Sequence, residues 1–272
     1  MIGLGLHTAE DTSHPALFGG RPPVVNTKSL SFDGTNDFAN FSSNTVIPNL
    51  MGSGDFSWSY WVKKTTFVGS GSGYNSQLFY ALNFFGVGVS TFVIGAVGES
   101  SHATQASKMI CQAVRGSGSG SVFFDWVSDG VITSAGNQWH HTVFTFDTSG
   151  STRLVTCYVD GTEIAGTNLN TGMNSKASFS GIDFGNIALG AQTFNMGGDA
   201  YEAGEYDEIS CYDKVLSSSE VNEIYNGGVP ADESSRSNLV GYWRLEDNGD
   251  DSSSNSNSLT ISGAQFTTDV PS

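Results

Sequence analysis

Carboxylates carry most of the chemistry this sequence could do. In Glu205-Tyr206-Asp207-Glu208-Ile209-Ser210 three acids fall among strand-forming side chains. Two carboxyls held about 5 Å apart across a sugar linkage make a retaining glycoside hydrolase. The plainer reading of Asp207 and Glu208 is structural. A second group, Asp33-Gly34-Thr35-Asn36-Asp37, is a Gly-containing turn. Its carboxylates and exposed carbonyls supply the all-oxygen mix that calcium takes. The same residues also serve as turn formers whose side chains bond their own backbone. His140 and His141 are adjacent, so in a strand they face opposite sides and cannot chelate one metal. No Gly-rich phosphate cradle, Ser/His/Asp order or nucleophile elbow is present. Residues 250–257 (DDSSSNSN) read as a solvated loop, with an ion site as the alternative.

The elements that must position these groups are mostly short strands. Asp160-Gly161, between two apolar runs, is a hairpin signal. One helix is expected near 217–226. Ser217 with Glu220 makes a capping box, Val221, Ile224 and Tyr225 form an apolar stripe, and Asn226-Gly227-Gly228 end it. Trp58 and Trp139 lie in strand patterns and are expected between two packed sheets. Residues 65–98 hold no charge, but Asn83, Gly86, Gly88, Ser90, Thr91 and Gly95 interrupt them, which predicts two buried strands rather than a membrane span. Gly-Ser runs at 69–73 and 116–121 predict loop tips.

Composition agrees with an all-β chain. Among 272 residues there are 34 glycines and 18 phenylalanines, and only 14% are charged. A net charge of −16 argues against nucleic acid as a partner, which needs a basic footprint. Cys111, Cys157 and Cys211 are widely spaced; Cys157 and Cys211 read as small core hydrophobes, with no disulfide framework or zinc site. The first 20 residues lack the basic start and continuous apolar core of a secretory signal. Residues 1–28 form an arm in which Pro15, Pro22 and Pro23 disfavour a central strand. Its apolar Leu4, Leu6, Leu17 and Phe18 need cover, so the arm is either a loose terminus or a segment docked on a neighbouring subunit.

Five segments in order resemble laminin-G-like, concanavalin-A-like jelly rolls. They are residues 29–38 (SLSFDGTNDF), 56–63 (FSWSYWVK), 138–144 (QWHHTVF), 154–161 (LVTCYVDG) and 204–228 (GEYDEISCYDKVLSSSEVNEIYNGG). The resemblance implies an all-β, two-sheet antiparallel sandwich over 29–229. It also implies a structural calcium near the FDG turn and the acidic strand, with Asp33, Asp37 and Asp207 as ligands. Laminarinase- and lichenase-type hydrolases of this fold carry E-x-D-x-x-E, and here Ser210 stands where the second catalytic glutamate belongs, which implies no enzyme. Residues 238–246 (NLVGYWRLE) resemble the run that normally opens such a domain. Lying after the helix, they predict that residues 230–272 return a displaced strand to the same sandwich; a truncated second repeat is the alternative.

Fold alone does not give function. The resemblance and the arm together imply a non-catalytic virion protein of a phage (capsid decoration, fibre or tail appendage), assembled in the host cytoplasm. Its expected partners are other virion proteins, copies of itself and a cell-surface glycan, with no membrane insertion. The alternative is a carbohydrate-binding or adhesion module at the cell surface or outside the cell.

Overall fold

A computed structural model describes residues 23–41, 54–64, 79–84, 89–96, 108–115, 121–130, 137–149, 154–168, 186–190, 201 and 203–272. The runs at 69–73 and 116–120, and arm residues 1–22, lie outside the described residues. With strands numbered in chain order, the first sheet runs β10 (Thr162–Ile164), β9 (Leu154–Val159), β8 (Trp139–Asp147), β3 (Phe56–Lys63), β13 (Ala203–Tyr212), β1 (Ser29–Asp33), β16 (Gln265–Thr267). In this sheet β14 (Leu239–Trp243) also pairs with β13. The second sheet runs β11 (Gly166–Asn168), β7 (Ser121–Ser128), β6 (Met109–Arg115), β5 (Val89–Ala96), β4 (Phe79–Phe84), β12 (Asn186–Leu189), β2 (Phe38–Asn40), β15 (Thr260–Ser262). The expected jelly-roll sandwich of antiparallel sheets is what the chain forms, with one short α-helix among the described residues. The uncharged stretch supplies β4 and β5, and no helix among the described residues is long and apolar enough to cross a membrane.

The core follows from alternation. Phe56, Trp58, Tyr60 and Val62 point inward along β3 and are essentially unexposed; Phe56 pairs with Phe146 and Trp58 with Phe144 across the strand. The Phe56 and Phe146 rings stack at 4.3 Å. Ile94, Cys111 and Trp126 from the second sheet close the same cluster. Each such side chain contributes roughly 1.5–3 kcal/mol by leaving water. All three cysteines are buried free thiols.

Tryptophan placement differs from expectation at one position. Trp58 fills the inter-sheet space, but Trp139 pairs opposite Lys63 and shares its outer face, half-buried. Trp243 takes the inner place, stacked 6.3 Å from Trp58 and edge-on to Phe41 at 4.7 Å. Its indole N–H donates to the Asn257 carbonyl at 2.8 Å, so burial leaves no donor unmet.

Residues from the C-terminal segment enter both sheets. β14 and β1 share one edge of β13 end to end: β1 pairs at 203–206 and β14 at 209–212. Between them β13 carries a bulge, a register shift between Asp207 and Ser210 with Glu208 at φ +44°. β16 continues beside β1, and β15 beside β2.

The helix α1 (Ser218–Tyr225) is capped as its sequence predicts, Ser217 and Glu220 bonding each other's backbone N–H, and it ends at Asn226 in the left-handed region. It lies on the outer face of the first sheet, where Val221 and Ile224 join Leu216, Tyr212 and Val143 in a second apolar cluster. Asp160 and Gly161 form the two-residue turn between β9 and β10 with φ +50° and +75°.

Candidate functional site

The acidic strand is buried. On β13 the core-facing residues are Tyr206, Ile209 and Cys211, which leaves Asp207 and Ser210 on the outer side of the sheet. The bulge adds Glu208 to that side, where it meets side chains of β14 and the residue after it. Asp207, Glu208 and the distant Glu233 are each no more than 2% exposed. Every one has partners. Asp207 accepts from Asn26 Nδ2 at 2.8 Å and from the Glu208 N–H at 2.9 Å. Glu208 accepts from the Tyr242 hydroxyl and lies 3.4 Å from Arg244 Nε. Glu233 accepts from Ser210 Oγ at 2.9 Å and from the Tyr212 hydroxyl.

Burial dominates the electrostatics here. It lifts Glu208 to about 8, against the pull of Tyr242 and Arg244. It also raises Asp207 well above the usual range, with the Glu208 charge adding to the effect. Near neutral pH this pair therefore retains a proton. Hydrolysis needs two reachable carboxyls, and the outer acid Glu205 is instead paired with Lys63 at 3.2 Å, while Ser210 spends its hydroxyl on Glu233.

The cluster fastens the base of the N-terminal arm. Besides the Asn26–Asp207 bond, Glu246 accepts from the Thr27 N–H at 2.7 Å and the Thr27 hydroxyl at 2.5 Å. Arg244 donates to the Val25 carbonyl at 2.5 Å, and Val24 N–H to the Pro230 carbonyl at 3.0 Å. Sequence reasoning gave no sign of Glu233 or of this clasp, because every contact in it joins residues remote along the chain.

The three expected calcium ligands are not brought together. Asp37 Oδ2 accepts from the Asp33 N–H at 2.9 Å and Asp33 Oδ1 from the Thr35 N–H at 2.7 Å, so these two carboxylates brace their own turn. Asp33 pairs opposite Ala203, which puts Asp207 four residues further along β13, about 13 Å away. Among the described residues no three His, Cys, Asp or Glu side chains gather in a metal-holding group. The donor set does not fit one calcium ion.

A cleft opens instead on the outer face, where the starts of β8 and α1's last turn meet. Its volume is about 310 Å³, and Trp61, Gln138, Trp139, His140, Asp160, Tyr225, Gly228 and Ser272 line it. Trp61 stacks on Tyr225 at 5.9 Å and lies tilted against His141 at 5.1 Å, so the helix end is packed against the strand floor. Trp139 donates its indole N–H to Asp269 at 2.9 Å, and Asp269 also pairs with Lys63. Asp160, held in its left-handed turn, accepts from the His141 N–H at 2.9 Å and lies 2.8 Å from His140 Nδ1. Beneath the cleft His141 Nε2 is 2.8 Å from Ser59 Oγ, a nucleophile–base distance. Both are almost wholly buried, and burial lowers His141 to about 3, leaving it neutral and out of reach of a substrate. The cleft is thus built from aromatic surface and hydrogen-bonding groups.

The sequence matches the family model described as the concanavalin A-like lectin/glucanases superfamily over residues 33–222. The chain belongs to this superfamily. Its fold is similar to a heptameric SAP-like pentraxin of Limulus polyphemus, at TM-score 0.50 and 13% identity, covering 89% of this chain and 95% of the pentraxin. A carbohydrate-binding protein of Bacteroides ovatus, so described provisionally, gives TM-score 0.49 and 14% identity over 92% of this chain and 62% of its own. A Trypanosoma rangeli sialidase gives TM-score 0.44 and 15% identity over 76% of this chain and 28% of its own. At such identities the pentraxin likeness establishes the fold alone. No curated protein matches the chain.

Proposed function

We propose that this superfamily member is a non-catalytic binding protein whose ligand is a glycan held in the Trp61–Trp139–Tyr225 cleft. The observation that carries this reading is the lining of that cleft. Aromatic surface that can lie against the apolar face of a pyranose sits beside Gln138, His140 and Asp160, which can bond hydroxyls. The buried state of Asp207, Glu208 and Glu233, and serine at position 210, support binding without hydrolysis. We further propose that the protein works as a phage virion component, such as a capsid decoration, fibre or tail appendage. Support comes from the arm: Leu4, Leu6, Leu17 and Phe18 need cover, and residues 23–28 are clasped to the sandwich, so the arm would leave it from a fixed point. A glycan array probed with the intact protein and with Trp139→Ala tests the binding reading. Retention of specific glycans by the first and loss of about tenfold or more in affinity by the second is expected. Equal binding by both refutes the cleft as the site.

A further inference from the structure

The charges around the cleft go further than its shape. Among the described residues that line it none is a lysine or arginine, and Asp160 is the carboxylate among their side chains. Its left-handed turn conformation and its bond to the His141 N–H fix that carboxylate at the wall, with His140 as its other partner. Behind Trp139, Lys63 is shared between Asp269 and Glu205, one positive charge against two negative. Anionic sugars are normally met by the planar fork of arginine or by lysine, and neither is among the described residues lining this cleft. The chain as a whole carries −16, so long-range attraction is also unfavourable for an acidic glycan.

Building on the glycan-binding reading above, we propose that the cleft selects neutral pyranosides and rejects anionic ones, with Asp160 as the discriminating residue. A carboxylate or sulfate brought to about 6 Å from Asp160 meets a repulsion worth roughly tenfold in affinity at an effective dielectric between protein surface and water. The partners of Asp160 suit this role. Its Oδ1 is used by a backbone N–H, which holds the carboxylate still, and its Oδ2 lies 2.8 Å from His140 Nδ1.

The test uses the intact chain on an array of glycan pairs that differ only in charge: neutral oligosaccharides beside their sulfated or uronic-acid counterparts. Titration calorimetry on the best pair then compares the unaltered protein with Asp160→Asn. Asparagine tolerates the left-handed turn and still accepts the His141 N–H, so the variant keeps its fold. The neutral member is expected to bind about tenfold or more tightly than its acidic counterpart, and D160N to shrink that ratio several-fold. Acidic members binding equally well or better would overturn the selectivity, as would an unchanged ratio in D160N. Binding to no glycan of either kind, by a protein whose melting curve is intact, would instead refute the glycan reading beneath it.

Discussion

Glu208→Gln tests the electrostatics of the buried acid cluster. Folded, Glu208 stays protonated up to about pH 8; unfolded, it releases its proton near the ordinary value of 4.5. Between those limits the folded chain binds one more proton at this site than the unfolded chain. Rising pH therefore favours unfolding, by about 1.4 kcal/mol per pH unit. His141 acts oppositely. Its folded value of about 3 lies below the ordinary 6.5, so it opposes folding only as pH falls below 6.5. From pH 6.5 to 8 Glu208 is thus unopposed by His141, and its share of the loss is about 2 kcal/mol. That corresponds to roughly 4–8 °C in melting temperature for a chain of this size. Glutamine keeps an acceptor for the Tyr242 hydroxyl but cannot ionise, and any change in the contact with Arg244 Nε shifts stability by a constant rather than a slope. Urea unfolding followed by tryptophan fluorescence at half-unit steps from pH 6.5 to 8 measures both slopes. The variant's line is expected to be flatter by about 1.4 kcal/mol per pH unit. Parallel lines for the two proteins would refute the argument that burial holds a proton on Glu208.

His141→Gln is expected to remove the offset to Glu208 between pH 4.5 and 6.5, so that the slope of stability against pH there becomes more negative by about 1.4 kcal/mol per unit, and to leave the slope from 6.5 to 8 unchanged in the same assay. Trp243→Ala should cost about 3–5 kcal/mol by opening a cavity between the sheets, whereas Trp139→Ala, on the outer face, should cost less than half as much in denaturant unfolding. Excess chelator should leave the melting temperature unchanged, because Asp33, Asp37 and Asp207 do not converge; a fall that added calcium reverses would show a bound ion stabilising the fold by mass action.

The fold was legible because each of its signals is local. Alternation in 56–63 and 139–146 marks which side chains point inward, and the capping box at Ser217 needs only four residues to form. Asp160-Gly161 makes its turn for the same reason: only those two positions must accept positive φ. The candidate site was only partly legible. Trp61, Trp139 and Asp160 lie in recognisable segments, yet alternation alone does not say which face of a strand will be covered by a sheet and which by a helix. Trp139 shows this: its strand pattern suits either face, and pairing opposite Lys63 is what sends it outward.

What this sequence determined by itself is the set of elements and their hydrophobic faces, since both follow from residues within one turn or one strand of each other. Tertiary structure alone decided the rest. The bulge at Asp207–Glu208 turns an acidic strand into a buried cluster once β14 is laid along β13 and supplies Tyr242 and Arg244. Glu233 joins because Ser210 and Tyr212 lie beneath it, 23 and 21 positions away. The cleft exists only because the end of α1, the β9–β10 turn and the C-terminal segment around Asp269 converge on the start of β8. A carboxylate's role depends on its solvent exposure and its partners, and both are properties of the packed chain rather than of any segment.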